Sequence, residues 1–191
     1  MARIEAVPER NAGLLGRFAY RFSRRRFGKV AEPLTVTAHH PRVLFGYGMM
    51  ELALDRSNRV DERLKHLAVL KTAARVGCEF CIDIGSTLAR YAGVTEDQLR
   101  DLPNYQQSEA FSSLEKLVLD YAEGMTRTPA VIPQELFDAL GEHFDEASMV
   151  ELTTAIALEN YRARFNHAFG LTSQDFSEGA YCPIPEATTR P

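Results

Sequence analysis

The sequence predicts an all-α protein, a helical bundle with an arm at each end. Three observations predict it. Apolar residues recur at the 3.6-residue period over several stretches, most clearly from Asp61 to Val76 and from Asp145 to Phe169. Acidic or hydroxyl residues stand at the starts of these stretches, and glycine or proline at their ends. No run of any length alternates apolar and polar residues as a strand does.

The elements follow in order. Residues 13–30 carry Arg17, Arg21, Arg24, Arg25, Arg26 and Lys29 with no acid, and Leu14, Leu15, Phe18 and Phe22 recur at helical spacing opposite them. Such a helix suits an anionic surface, or an arm that packs on its own body or a neighbouring subunit. The short stretch and the net charge of −4 favour the arm. A helix then starts near Pro41, and His39 and His40 just before it are expected to be extended, as capping or solvated residues. Asp61-Glu62 suit the positive end of the next helix, and Gly77 breaks it. Cys78 to Tyr91 forms a second helix closed by Gly93. Thr95 to Gln98 has a capping-box pattern and opens a short helix that Pro103 ends.

The second half repeats the style. Ser112/Ser113 with Glu115 open a helix through Met125, and Pro129 and Pro133 frame a loop. Pro133 is expected at the first helical position before Gln134 to Gly141. Gly170 stops the long last helix. Asp61-Glu62 and Asp145-Glu146 echo each other, as two similar helical hairpins would. The tail from Thr172, with Pro183, Pro185 and Pro191, reads as extended. The expected organisation is a basic arm over residues 1–34, a helical domain over 35–170 and a tail over 171–191.

Composition narrows the function. The 191 residues, 45% hydrophobic and 25% charged, suit one domain with arms. The negative charge gives no reason to expect nucleic acid, and no apolar run approaches the roughly 18–20 residues of a membrane span. The start of the chain lacks an apolar signal core, and three cysteines do not make a secreted disulfide framework. A reducing cytoplasm is expected, where a CxxC is catalytic or metal-binding. Zinc would need two further ligands, and there is no second CxxC or HxxxH. No metal or cofactor is expected.

The chemistry centres on Cys78 and Cys81, in the run Arg75-Val76-Gly77-Cys78-Glu79-Phe80-Cys81-Ile82-Asp83. On the first turn of a helix this spacing brings both sulfurs to one end, close enough to cycle between dithiol and disulfide. The helix N-terminus lowers a thiol pKa from about 8.5. One thiolate attacks a peroxide oxygen or a disulfide, and the other thiol resolves the product. The dipole alone favours Cys78 as nucleophile. His66 is the nearest histidine in sequence, about three turns upstream on the preceding helix. Asp83 and Ser86 share the cysteine helix and are candidate pocket residues, although Asp83, two residues beyond Cys81, does not closely share its face. The last helix carries Asn160, Arg164 and His167 on one stripe and Glu159, Arg162 and Asn166 on another, as a pocket wall, a subunit contact or a solvated face. Cys182, in the proline-rich tail, is expected to be a surface thiol, a buried filler or an intersubunit partner.

The run Glu62-Arg63-Leu64-Lys65-His66-Leu67-Ala68-Val69-Leu70, then Gly77-Cys78-Glu79-Phe80-Cys81, with the late Glu159-Asn160-Tyr161-Arg162-Ala163-Arg164-Phe165-Asn166, resembles the carboxymuconolactone decarboxylase and alkylhydroperoxidase D family over residues 35–170. The resemblance implies a helical bundle that assembles as a homo-oligomer: a dimer, trimer or hexamer. It implies a thiol peroxidase in which Cys81 attacks a hydroperoxide and Cys78 resolves and takes electrons from a dithiol reductant. The peroxidase pattern has a glutamate twelve positions before the first cysteine, where this chain has His66. It has histidines just before and four after the second cysteine, where this chain has Phe80 and Gly85. His66 is the candidate substitute base.

Two other functions compete. A redox-sensing or disulfide-exchange oligomer would use the thiols without peroxide turnover. A decarboxylase or isomerase on a small carboxylate or lactone would bind it through Arg162, Arg164, Asn160 and Asn166, with dispensable cysteines.

Overall fold

The computed structural model describes residues 2–177, so Cys182 and the three tail prolines lie outside the described residues. Within that span are nine α-helices and no strand: α1 Gly13–Phe27, α2 Glu32–Thr37, α3 Pro41–Asp55, α4 Glu62–Val76, α5 Glu79–Tyr91, α6 Glu96–Asp101, α7 Ser113–Thr126, α8 Gln134–Gly141 and α9 Glu146–Phe169.

The helix ends are built by local chemistry. Asp61 caps α4 by accepting from the backbone N–H groups of Arg63 and Leu64 at 3.0 and 3.3 Å. Thr95 with Gln98, and Ser112 with Glu115, form full capping boxes on α6 and α7. Asp145 caps α9 through Ser148 N–H at 2.8 Å. His40 caps α3 through Val43 N–H at 3.3 Å, and His39 bonds the Glu5 carbonyl. Pro133 is the residue flanking α8 rather than its first helical residue. Gly77 and Gly170 end α4 and α9 in left-handed conformations, φ 78° and 66°, which a side chain would strain.

Long-range ion pairs fix the direction of each helix. Lys65 pairs with Glu151 near the starts of α4 and α9, and His167 bonds the Val76 carbonyl near their ends. The two helices are therefore parallel. Arg63–Glu115 and Lys71–Glu123 make α7 parallel to α4 as well. α5 turns back at Gly77 and runs antiparallel to α4, so that Gly85 faces Leu70 and Gly93 faces Arg63. The Asp61 and Asp145 echo thus marks two parallel helices capped at the same end of the bundle.

Leu67, Leu70, Ala73, Ala74 and Ile82 form one core with both cysteines, while Leu64, Ala68, Val118, Leu152 and Ile156 form a second. α1 packs on the body through Gly16, Tyr20 and Ser23, with the Tyr20 hydroxyl donating to the Val7 carbonyl at 2.9 Å. Its apolar stripe faces outward: Leu14, Phe18 and Phe22 are 87%, 67% and 43% exposed. The packed face sets the small Gly16 and Ser23 on either side of the larger Tyr20.

Candidate functional site

Gly77 sets the site. It lets the Cys78 N–H reach back to the Ala73 carbonyl at 3.0 Å, and α5 starts one residue later. Cys78 is therefore the residue flanking α5, and its sulfur accepts the Cys81 backbone N–H at 3.2 Å. That hydrogen bond and the helix terminus both favour a thiolate. The two sulfurs lie at disulfide distance, with Cα atoms 5.3 Å apart, and both residues are buried. From α9, the Asn166 side-chain N–H donates to the sulfurs of Cys81 at 3.3 Å and Cys78 at 3.6 Å. Asn166 is itself buried, and its Oδ1 has no partner.

Asp83 does not face the thiols. It is buried on the other side of α5 and clamps the segment after α9. Its carboxylate accepts from Ser173 Oγ, from both Ser177 N–H and Oγ, and from the Gln174 and Phe176 backbone N–H groups, at 2.8–3.0 Å. Burial alone would raise the Asp83 pKa, but these bonds more than offset it and hold it below the usual carboxylate value. Phe176 then packs edge-on against Phe80, the residue between the thiols, at 5.8 Å. Lys29 closes the clamp, bonding the Gln174 and Asp175 carbonyls and lying over the Phe176 ring. Because the Asp83 pKa is depressed, the clamp is complete above about pH 4 and is lost only as pH falls further. Asp83→Ala is expected to free residues 173–177, cost about 2 kcal/mol of stability, and speed iodoacetamide alkylation of the reduced thiols about tenfold. Unchanged alkylation would show that the clamp does not gate the pair. Ser86 is buried in the same helix and donates to the Ile82 carbonyl at 2.6 Å.

The two polar stripes of α9 part company. Asn160 donates to Thr126 Oγ1 at 3.2 Å, and Arg164 bonds the Asn160 side chain and the Thr126 carbonyl, so both meet the end of α7. His167 is exposed and ties α9 to the end of α4. The other stripe turns inward. Arg162 grips Glu51 of α3 with two bonds, 2.8 and 2.6 Å, and Glu159 with one of 3.0 Å. Burial raises the Glu51 pKa and the Arg162 guanidinium more than offsets it, so the net shift is downward. Glu159 is fully enclosed; burial pushes its pKa up to about 7 despite Arg162. Its Oε1 has no partner. Tyr47 of α3 stacks on Tyr161, and its phenol pKa is raised by burial and by Glu51.

His66 is half-buried on α4, about 15 Å of helix before the Val76 end that leads into Cys78. Burial lowers its pKa, Glu62 opposes that, and Lys65, Arg162 and Arg26 add to it. It therefore belongs electrostatically to the Arg162 cluster and is far from the sulfurs. Glu51 and Tyr47 escaped the sequence reading; the one signal was a single acid within the apolar stretch Val43 to Leu54.

The carboxymuconolactone decarboxylase family matches residues 40–124. The uncharacterized protein YnjA of Escherichia coli is 33% identical over 164 residues, covering 85% of this chain and 87% of that protein. The uncharacterized protein YdfG of Bacillus subtilis is 29% identical over 116 residues, covering 60% of this chain and 79% of its own. Two solved structures share the fold with a TM-score of 0.79 each. An uncharacterized peroxidase-related protein of Ralstonia eutropha, described as an alkylhydroperoxidase AhpD core, is 20% identical, covering 92% of this chain and 94% of its own. The debrominase Bmp8 is 19% identical, covering 90% and 91%.

Proposed function

The chain belongs to the carboxymuconolactone decarboxylase family, and from that premise we propose that it is a thiol peroxidase of the alkylhydroperoxidase D type. The observation that carries the reading is the buried Cys78–Cys81 pair at the start of α5, with Asn166 donating to both sulfurs. The Cys81 thiolate attacks the hydroperoxide, breaking the O–O bond to give a sulfenic acid and an alkoxide that takes up a proton. The Cys78 thiol then condenses with the sulfenic acid, releasing water and forming the disulfide. A dithiol reductant returns the pair to two thiols and leaves as its own disulfide. The protein acts in the cytoplasm as a homo-oligomer, with the outward stripe of α1 as its candidate contact.

The carboxylate-binding alternative loses support because Arg162 is already held by Glu51 and Glu159, and Arg164 by Asn160 and Thr126. Disulfide exchange without peroxide turnover uses the same thiols, so one experiment separates the two. The reduced protein is mixed with hydroperoxide, alone and with excess dithiol. The peroxidase reading expects one equivalent consumed alone and continuous consumption with dithiol. A pair that stays reduced in hydroperoxide, yet oxidises with a disulfide, overturns it in favour of exchange.

A further inference from the structure

Breaking the O–O bond requires a proton for the leaving oxygen, and the thiols sit among apolar residues. The charges on the inner stripe of α9 do not balance: one guanidinium faces two carboxylates. Glu51 takes the bidentate grip, while Glu159 receives a single bond and keeps one buried oxygen bare. If both were ionised the cluster would carry a net negative charge out of water, so Glu159 is the member that holds a proton. Its pKa of about 7 fits that role.

Glu159 and Asn166 stand at i and i+7 on one face of α9, about 10 Å apart along the axis. Ala163, fully buried and small, lies between them. The bare Oε1 of Glu159 and the bare Oδ1 of Asn166 are the two buried oxygens of this face without a partner. Such atoms are the usual partners of buried water.

We infer that Glu159 is the proton store of the thiol pair, exchanging protons with it along water held between its Oε1 and the Asn166 Oδ1. It rests as the acid, its carboxylate having taken the proton of Cys81–SH when the pair was last reduced. It then returns that proton as Cys81–S⁻ and ROOH become Cys81–SOH and ROH, leaving Glu159 as the carboxylate. The leaving-group half rests on the peroxidase reading; the store itself does not. The charged groups that act on Glu159 are Arg162 on its own helix and Glu51 of α3; Tyr47 of α3 and Arg26 of α1 act in turn on Glu51, and Arg162 also acts on His66 of α4. Of these His66 is the rival store.

The test is Glu159→Gln, which keeps the shape and leaves Arg162 balanced by Glu51. Reduced protein reacts with three electrophiles: iodoacetamide and a dialkyl disulfide, whose iodide and thiolate leave without a proton, and a hydroperoxide, whose alkoxide needs one. Glu159→Gln is expected to leave alkylation and disulfide exchange undiminished and to slow the hydroperoxide reaction about a hundredfold at neutral pH. Glu159→Asp is expected to restore part of the rate, and His66→Gln to change little. Equal slowing of all three reactions reveals a structural role and overturns the inference, as does no slowing of any. Wild-type protein inert to hydroperoxide, but with an alkylation pH profile that Glu159→Gln shifts, would sink the peroxidase reading and leave the store standing.

Discussion

The Cys81→Ser protein is expected to lose catalytic hydroperoxide consumption, while Cys78→Ser completes a single oxidation and stops. A serine hydroxyl ionises far less readily than a thiol, and nothing at Cys81 compensates; the loss is about four orders of magnitude or more. Cysteine and serine are close in size, and both positions sit at the start of α5, where a hydroxyl is tolerated as well as a thiol. The folds of both variants should therefore survive. In Cys78→Ser the sulfenic acid at Cys81 has no neighbour to resolve it, so trapping with dimedone should label that one residue. Local electrostatics argue the other way, because the Cys78 sulfur accepts the Cys81 N–H. If Cys78 is the attacking thiol, the two variants exchange behaviour and dimedone labels Cys78 in Cys81→Ser. Continued turnover by both single variants would overturn thiol peroxidation altogether.

What the sequence reveals here divides by range. Asp61, Thr95, Ser112 and Asp145 act within three residues of themselves, and each starts the helix that its chemistry dictates. The Cys78–Cys81 pair is legible for the same reason, since Gly77 and the helix start are its neighbours. α2 is not: its Thr35, Val36 and Thr37 are poor helix formers, and the turn is held by tertiary contacts such as Glu32 N–H to Gln174. Asn166 could be placed on a stripe but not aimed at the sulfurs, because that depends on α4 and α9 being parallel. Lys65–Glu151 and the His167 bond to Val76 set that direction across more than 80 residues. Asp83 shows the same limit. Its partners arrive about 90 residues later, and without them it is only a pocket candidate on the cysteine helix.

Arg162→Met is expected to cost stability severely and in a pH-dependent way. Arg162 bonds both carboxyl groups, Glu51 of α3 and Glu159 of α9; its side chain is 24% exposed, Glu159 4% and Glu51 34%. Methionine fills the space of the aliphatic stem but leaves both carboxylates without a counter-charge. Removing one partner of a buried pair costs about 3–5 kcal/mol, and the part-exposed Glu51 puts this case near the lower end. A melting point lower by about 6–12 °C follows for a chain of this size. The sign with pH is fixed by the protons. Without Arg162, burial raises both folded pKa values above their unfolded ones, so the folded state binds protons more tightly than the unfolded state. The penalty is then small near pH 4.5 and grows as pH rises through the raised values. In the wild type only Glu159 behaves this way, because Glu51 is held below its usual value. Urea unfolding at about pH 5 and about pH 8 measures the difference. Glu159→Gln placed in the Arg162→Met background should recover part of the stability at the higher pH and little at the lower. A cost that is equal at both values would mean that Arg162 acts through packing, and that the two carboxylates reach water once it is gone.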